Sequence, residues 1–438
     1  MSSYLRVLRY KDFRYLFLGQ SASALGDQVV FVALALYITQ STGSPTDLGL
    51  VLAAQSLPLI GLLLFGGVWA DRLPRHLIMT AADYIRALLH GVLAVSILLG
   101  VATVAEMIVI EALFGAARAF FAPAYSGLLP QTIPDALAQD ARALSSTAEN
   151  LATLIGPALG AAMVLTLGAG AAFALDAATF VLSAELLRHI RPRARGDAPR
   201  RETVLHDLRG GWREVRSRAW VWATIAAFTG VVLCGYAPWV ALAPLLSRDL
   251  YGSLGVFGLL ESVTGAGAVL GALVGVRWRP RRPLVAGLLL TFMWPIQTLA
   301  FAAASPLALV ATLSFMAGLG FSLFTVWWET ALVRNIPPQA LSRVSAYDWM
   351  GSLALLPLGF ALAGPLAAMF GARTVTAVGA GCVLVMLALA LVPRSTRRLT
   401  DAGSAQQLGD EIAVEAGGEA EVADVDAFVG VVDERGRL

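Results

Sequence analysis

Twelve runs of predominantly apolar residues, most of them 20 or more residues long, follow one another along the chain. A helix that crosses the hydrocarbon core of a bilayer needs about 20 such residues. No run alternates in polarity as the strands of a membrane β-barrel do. The sequence therefore predicts an all-α integral membrane protein with twelve transmembrane helices. The runs lie near 17–39, 48–69, 77–100, 104–125, 145–167, 170–187, 220–243, 256–276, 284–303, 307–330, 347–369 and 373–392.

Composition excludes several function classes. Charged residues make up 14% of the 438 residues, against about 25% in soluble domains, so a soluble enzyme is excluded and no enzymatic activity is expected. The net charge is only +2, and the basic residues lie between apolar runs, which argues against a nucleic-acid partner. The four histidines have no metal-ligand spacing, and no phosphate-binding loop of the G-x-x-x-x-G-K-[ST] type is present. We expect no metal, no cofactor and no direct use of ATP.

Arginine and lysine predict the orientation in the membrane. If the amino terminus is cytoplasmic, 26 of these residues lie in the cytoplasmic connections and next to the membrane at both ends of the chain. Only Arg248 and Arg373 lie in the opposite connections. Because cytoplasmic loops carry the excess of positive charge, both termini are expected in the cytoplasm of a cell whose inner membrane holds the protein. The apolar run after the basic amino terminus lacks a cleavage site and is interpreted as an uncleaved first helix.

The chain divides into two similar halves. An amino-terminal six-helix bundle (1–187) and a carboxy-terminal one (220–395) are separated by a linker (188–219) and followed by an acidic tail (396–438). Similar loops follow the second and eighth runs, and mid-helix prolines, Pro157 and Pro357, recur about 200 residues apart. Such duplication places a transport site between the halves near the midplane. In the linker, an amphipathic helix on the inner membrane surface and a solvated segment remain alternatives; the tail is expected to be disordered.

One loop resembles a known family. The residues at Gly67-x-x-x-Asp71-Arg72-x-Pro74-Arg75 resemble the signature loop between helices 2 and 3 of the major facilitator superfamily, with proline where glycine is usual. Lys11-Asp12-Phe13-Arg14 and Leu25-Gly26-Asp27 are similar to the branch that holds the enterobactin exporter and the macrolide efflux proteins. The resemblance implies a proton-driven exporter of small molecules that works by alternating access.

Two motifs receive roles from this resemblance. Gly67, Asp71, Arg72 and Arg75 are expected to form a gate between the two bundles on the cytoplasmic side, because carboxylate–guanidinium pairs can form and break as the bundles rock. A tight turn with ordinary positive charges is the alternative. The helix-bend motif of drug/proton antiporters is matched in part by three residues of the fifth run: Gly156, Pro157 and Gly160. Simple helix packing is the alternative there.

Charges inside apolar runs are costly unless they are paired or hydrated. Asp27 lies near the middle of the first run, and Glu111 and Arg118 lie seven residues apart on one face of the fourth. These three are the candidates for proton coupling, with Arg118 as partner of Glu111 or of a substrate. Weaker candidates are Asp176 and Glu261. Asp83 and Arg86, three residues apart, are expected to pair near the inner end of the third run.

Aromatic residues are candidates for the wall of a substrate cavity, with interface anchoring as the alternative for those near a membrane end. The candidates are Phe120, Phe121, Tyr125, Tyr236, Trp239, Phe321 and Phe324. The expected partners are a small-molecule substrate, protons and the lipid bilayer. Two other functions remain open at this point: a lipid or lysophospholipid transporter, and a membrane sensor or scaffold without flux.

Overall fold

The computed structural model describes residues 3–193, 204–278 and 280–399. Twelve long helices, three of them interrupted, account for most of these residues, and the described part of the chain contains no strand. The helices are α1 (Lys11–Ser41), α2 (Pro45–Arg72), α3 (Arg75–Leu98), α4 (Val104–Leu128), α5 (Ala138–Leu167), α6 (Ala169–Arg188), α7 (Ala219–Tyr251), α8 (Gly255–Arg277), α9 (Pro283–Ala302), α10 (Leu307–Asn335), α11 (Pro338–Leu353 and Leu356–Phe370) and α12 (Ala372–Ala390).

The predicted all-α membrane fold is confirmed. Within the described ranges, eleven helices are long and apolar enough to cross a membrane. The remaining one, α4, is 25 residues long but carries Glu106, Glu111 and Arg118. Charges inside a membrane span are rare and usually functional. We therefore expect the charged side chains of α4 to have partners on neighbouring helices or to face a water-filled cavity.

The two halves pack by the same scheme. In the first half, α2 packs on α4, α1 packs on α5 and α6, and α3 packs on α4 and α6. In the second half, the equivalent pairs are α8 with α10, α7 with α11 and α12, and α9 with α10 and α12. Between the halves, α2 packs on α11 and α5 packs on α8. These two contacts are equivalent, because α8 corresponds to α2 and α11 corresponds to α5 in the repeat. Packing therefore repeats with the sequence, as two six-helix bundles related by pseudo-twofold symmetry require.

The halves share a core at one end of the molecule. This hairpin end carries the short connections at 42–44, 99–103, 252–254 and 303–306. Its core combines residues of both halves, for example Val32, Leu48, Leu242, Phe257 and Phe360. At the opposite end, where α1 begins and α12 ends, the described residues form two separate cores, one in each half. Among the described residues, the halves therefore share an apolar core at the hairpin end and have separate cores at the terminal end.

Three helices of the second half are interrupted where the apolar runs give no warning. Residues Val232–Tyr236 of α7 form a π-helical segment, α9 breaks at Phe292 and α11 breaks at residues 354–355. Pro357 therefore lies in the first turn after the break, whereas Pro157 lies inside the continuous α5. A mid-helix proline was expected at both positions, so the halves differ here. π-helical segments are rare and are frequent at functional sites.

A linker helix, Val204–Ser217, lies between the halves in the chain. Val215 is buried in the core of the second half, and Trp212 contacts Tyr347 of α11 with ring centroids 5.8 Å apart. The helix therefore packs on the second bundle through these residues, which neither sequence alternative included. The tail from residue 400 onward lies outside the described residues, as does the linker segment 194–203.

Candidate functional site

Three polar side chains of α3 point into the first half. Asp83, Arg86 and His90 are spaced three and four residues apart, so they share one face of the helix. That face is packed against α4 and α6, and all three side chains are at most 2% exposed. The predicted pairing of Asp83 with Arg86 is confirmed by a contact between Asp83 Oδ1 and Arg86 Nη2. Its predicted shallow position is wrong: α3 begins at Arg75, so Arg86 lies about 16 Å along the helix at 1.5 Å per residue.

His90 stands between two buried carboxylates. Its Nδ1 is 2.5 Å from Asp176 Oδ2 of α6, and its Nε2 is 3.5 Å from Glu111 Oε1 of α4. The imidazole stacks on Phe114 with centroids 4.1 Å apart and planes 2° apart. The other oxygen of Glu111 accepts a 2.6 Å hydrogen bond from Gln55 Nε2 of α2. Four helices therefore meet at this histidine, and Asp176 and Glu111 are both fully buried.

Arg86 is held between aromatic rings. Its guanidinium carbon lies 4.2 Å from the ring centroid of Phe121 and 4.3 Å from that of Phe180. A desolvated cation gains about 2 kcal/mol or more from such a ring face. This compensates part of the cost of removing the charge from water, and the Asp83 carboxylate compensates a further part. Phe121 therefore packs inside the first half, buried against this cation.

Hydrogen bonding in this group is incomplete. Five buried atoms have no hydrogen-bond partner within the described part of the chain: Asp83 Oδ2, Arg86 Nε, His90 Nε2, Glu111 Oε1 and Asp176 Oδ1. Buried polar atoms are usually satisfied, and each exception needs a physical reason. We call these five residues, Asp83, Arg86, His90, Glu111 and Asp176, the buried ionisable cluster.

Helix α1 touches the cluster through glycine. A Cβ at Gly26 would lie 2.3 Å from Asp176 Oδ1, and a Cβ at Gly19 would lie 3.1 Å from the backbone of Ser183. These two glycines are seven residues apart, so one glycine face of α1 packs directly on α6. The next residue, Asp27, is half-buried and interacts unfavourably with the negative charges of Asp83 and Asp176. The Leu25-Gly26-Asp27 segment thus brings an acid next to the cluster.

The glycines of the helix-bend motif pack on the same stretch of α1. A Cβ at Gly156 would lie 2.4 Å from Gln28 Cβ, and one at Gly160 would lie 2.4 Å from the carbonyl oxygen of Val29. The carbonyl oxygen of Pro157 lies 3.1 Å from the Cβ position of Gly258 in α8, across the boundary between the halves. The motif therefore sits where α5 contacts both α1 and the second half.

Arg118 does not pair with Glu111. Seven residues place the two side chains on one face but about 10.5 Å apart along the axis, and the structure separates them further by environment. Glu111 is buried against His90 and Gln55, whereas Arg118 is exposed. Arg118 interacts electrostatically with Tyr236 of the second half, the residue that ends the π-helical segment. Of the two predicted partners of Arg118, Glu111 is therefore wrong, and a substrate stays a prediction; Arg118 lies near Tyr236 of the second half.

The second half also contains acids that are hydrogen-bonded to tryptophan, among them Glu261 and Asp348. Glu261 of α8 accepts a 2.8 Å hydrogen bond from the indole nitrogen of Trp239. Trp239 is buried, and its ring meets that of Phe301. Glu261 also interacts with Tyr236, so Tyr236 is close to charges of both halves.

The predicted cavity aromatics fall into three groups by exposure. Phe121, Trp239 and Phe324 are buried, so they do not form an open wall in this conformation. Tyr236 and Phe321 are 39% and 49% exposed. Phe120 and Tyr125 are half-buried. Tyr125 lines a small pocket between α1, α4 and α5 together with Phe17, Gln20, Ser21, Ser145, Ala148 and Glu149.

The predicted gate residues lie at the terminal end, where α2 ends and α3 begins. Arg75 donates a 3.1 Å hydrogen bond to the carbonyl oxygen of Gly127, at the end of α4 in the same half, and Arg72 is exposed at the end of α2. Gly67 and Asp71 belong to α2. The surroundings of Gly67 and the side chain of Asp71 lie outside what the structure describes.

Sequence comparison identifies the family. A family model described as transmembrane secretion effector matches residues 2–290. The chain belongs to the major facilitator superfamily. It is 26% identical over 390 residues to the uncharacterized MFS-type transporter YfiS of Bacillus subtilis, which covers 86% of this chain and 92% of that protein. It is 26% identical over 395 residues to the multidrug efflux pump Tap of Mycolicibacterium fortuitum, covering 86% and 95%.

Other similarities agree with this family. Macrolide efflux protein A of Streptococcus pyogenes is 24% identical over 262 residues, covering 58% of this chain and 64% of that protein. Among solved structures, the nucleoside transporter NupG matches with a TM-score of 0.69 and 14% identity, over 89% of this chain and 99% of that one. A bacterial homologue of the iron transporter ferroportin in its inward-facing state matches with a TM-score of 0.68 and 15% identity, over 91% and 100%. At these identities the structural matches show the fold.

Sequence reasoning did not identify His90 as a functional candidate. A histidine inside an apolar run is usually interpreted as an ordinary core residue. The two partners of His90, Glu111 and Asp176, are 21 and 86 residues away in the chain. The available signal was the spacing of Asp83, Arg86 and His90 on one face of a membrane helix. Three ionisable groups on one such face indicate polar partners on neighbouring helices.

Proposed function

We propose that this transporter exports small organic molecules and that protons moving into the cell drive the export. The family supports transport, and the names of two relatives, a multidrug efflux pump and a macrolide efflux protein, support efflux as the direction. Alternating access is supported by the packing: among the described residues, the halves share a core at the hairpin end and have separate cores at the terminal end, which is the arrangement of a transporter open at its terminal end.

The observation that carries proton coupling is the buried ionisable cluster with Asp27 at its edge. Three fully buried carboxylates, one guanidinium and one imidazole lie together in the first half. Such groups in a membrane helix bundle are costly and mark proton pathways. We propose that Asp27 exchanges protons with the space between the halves, and that Glu111 takes part through the cluster. Arg118, near Tyr236, is proposed to contact the substrate rather than the proton.

The orientation completes the mechanism. With both termini in the cytoplasm, the open terminal end faces the cytoplasm and the conformation is inward-facing. Export then requires the terminal end to close, which brings Gly67, Asp71, Arg72 and Arg75 toward the second half as the gate. Gly156, Pro157 and Gly160 stay packed at the junction of α5 with α1 and α8 and are proposed as the pivot. Of the predicted aromatics, Tyr236 and Phe321 are proposed to line the cavity.

The test uses purified protein in proteoliposomes with an imposed pH gradient. A panel that includes erythromycin, ethidium and a fluorescent lysophospholipid identifies what is accumulated. Asp27→Asn should abolish gradient-driven accumulation of the best-transported panel member and leave its equilibrium binding intact, because asparagine cannot release a proton. Asp249→Asn is the control, since Asp249 is an exposed acid at the end of α7.

Three outcomes would overturn the proposal or a part of it. Accumulation by the Asp27→Asn protein at the level of the control would remove Asp27 from coupling. Accumulation of the lysophospholipid alone would identify a lipid transporter instead, and the absence of any flux at normal insertion would favour a sensor or scaffold.

A further inference from the structure

We infer that His90 carries a proton between Asp176 and Glu111, so that coupling requires an internal relay across α6, α3 and α4 in addition to Asp27. The inference rests on the proposed function and assigns the proton-holding groups of the same site. His90 is the one residue of the cluster that touches carboxylates of two other helices.

Charge balance requires exchangeable protons in the cluster. Asp83, Glu111 and Asp176 contribute three negative charges when ionised, and Arg86 contributes one positive charge. With a neutral His90, the fully buried cluster would carry two uncompensated negative charges. Uncompensated buried charge costs several kcal/mol for each ion. Each proton held by one of the three carboxylates or by the imidazole removes one of these uncompensated charges, so at least one such proton is expected in the cluster.

The two contacts of His90 with its carboxylate partners differ in length. The Nδ1 link to Asp176 is formed at 2.5 Å. The Nε2 link to Glu111 is open at 3.5 Å, and both of its atoms lack another hydrogen-bond partner. Two unsatisfied buried atoms that face each other need an approach of about 0.6 Å to reach an ordinary 2.9 Å hydrogen bond. A small movement of α4 relative to α3 therefore connects Asp176 with Glu111.

The proton transfer balances without any further reagent. Protonated Asp176 gives its proton to Nδ1 of His90, while Nε2 of His90 gives its proton to the Glu111 carboxylate. Asp176 becomes a carboxylate, Glu111 becomes a carboxylic acid, and the imidazole changes tautomer with no change in its charge. The reverse transfer restores the starting state. The ring plane is fixed during both transfers because it stacks on Phe114.

The surrounding charges couple this relay to Asp27. The groups that face His90 are Glu111 from α4, Asp176 from α6, Asp83 and Arg86 from α3 itself, and the uncharged Gln55 of α2 through Glu111. Asp27 on α1 repels the negative charges of Asp83 and Asp176. When Asp27 loses its proton, this repulsion favours a proton on Asp176. When Asp27 is protonated, Asp176 can give its proton toward Glu111.

The test is a set of substitutions in the full-length protein. His90→Gln keeps a hydrogen-bonding side chain but cannot exchange protons, and Glu111→Gln closely preserves the shape at the far end of the relay. His189→Gln is the control, because His189 lies at the end of α6, outside the cluster, where its Nδ1 bonds to the backbone carbonyl of Glu185 and its ring contacts Tyr15. The assays use the best-transported member of the panel above. Gradient-driven accumulation is measured over a range of pH, and exchange of the same compound is measured at equal pH without a gradient.

We expect His90→Gln and Glu111→Gln to lower gradient-driven accumulation by roughly a hundredfold, the lower end of what a positioned acid–base group contributes. Gradient-free exchange should persist, and the pH dependence should flatten. A purely structural histidine would reduce both assays together or neither, and either result overturns the relay. Retained exchange in either variant also shows that it is folded.

An infrared pH titration keeps the relay separate from the proposed function. The protein in membranes should show the carbonyl stretch of a protonated carboxyl group near neutral pH, and this band should change in Asp176→Asn, Glu111→Gln and His90→Gln. If the unsubstituted protein shows no proton-driven flux but shows this band, the proposed function fails and the assignment of the protons stands. If the flux is proton-driven and the band is absent or unchanged in all three variants, the relay fails alone.

Discussion

Replacing Gly26 by alanine tests whether the close approach of α1 maintains the cluster. The added Cβ would lie 2.3 Å from Asp176 Oδ1, 2.6 Å from Thr179 Oγ1 and 3.3 Å from Asp176 Cα. Non-bonded heavy atoms prefer separations of about 3.5 Å or more. The Asp176 side chain therefore has to rotate away from α1, or α1 has to move away from α6. Either change disturbs the contact between Asp176 and His90.

The size of the effect follows from three contributions. Forcing a methyl group into a packed contact costs about 1–3 kcal/mol. Loss of a hydrogen bond to a charged group costs about 1.5–3 kcal/mol. Alanine recovers about 0.5–1 kcal/mol because glycine is unfavourable inside a helix. We therefore expect a destabilisation on the order of 2–5 kcal/mol, together with loss of proton-driven transport.

Gly91→Ala is the matched control. Gly91 lies on α3 and also faces α6, but among the described residues a Cβ there meets Ala177 Cβ alone within 4 Å, at an ordinary 3.9 Å. Thermal unfolding of the purified proteins, followed by tryptophan fluorescence, should give a clearly lower midpoint for Gly26→Ala than for Gly91→Ala. Flux in proteoliposomes should be lost only in the former. Equal midpoints and equal flux would refute the view that glycine at position 26 maintains the cluster.

Three further predictions concern the ends of the molecule. Reporter fusions at Ser305 and Arg195 should report external and cytoplasmic positions respectively, because of the distribution of basic residues; the reverse pattern would contradict the orientation. Asp71→Asn should reduce efflux at normal membrane insertion, because closing the terminal end needs its charge, and unchanged efflux would remove it from the gate. Removing residues 401–438 should leave insertion and flux intact, since this acidic segment has little apolar surface to bury, whereas a loss of transport would assign it a docking or regulatory role.

The number and order of the membrane helices could be predicted because length and apolarity alone determine them. The repeat was visible in matching loops, and the packing of α2 on α4 and of α8 on α10 repeats with it. The π-helical segment at Val232–Tyr236 and the breaks at Phe292 and 354–355 were not predictable. Each is followed within three residues by a proline, Pro238, Pro295 or Pro357, which lacks a backbone N–H and clashes with the carbonyl group four residues earlier. Proline also lies inside the continuous α5, so its position alone does not locate a break, and hydropathy gives no signal.

Of the candidate site, only the isolated acidic residues could be predicted from the sequence. Asp27 and Glu111 stand out because a carboxylate in an apolar run is costly wherever it points. The partner of Glu111 did not follow from spacing. Helical periodicity places Arg118 and Glu111 on one face of α4, but it does not determine which neighbouring helix packs against each turn. His90 has no such cost when neutral, and its contacts depend on how α3, α4 and α6 come together. The role of Gly26 likewise depends on the neighbouring helix.

Counting protons during transport tests the central claim most directly. Proteoliposomes loaded with a pH-sensitive dye and given the best-transported compound at equal starting pH should show a proton flux opposite in direction to the compound, in a fixed ratio to it. The Asp27→Asn protein should show no such flux. Movement of the compound down its gradient without any accompanying proton flux would contradict proton-driven export by this transporter.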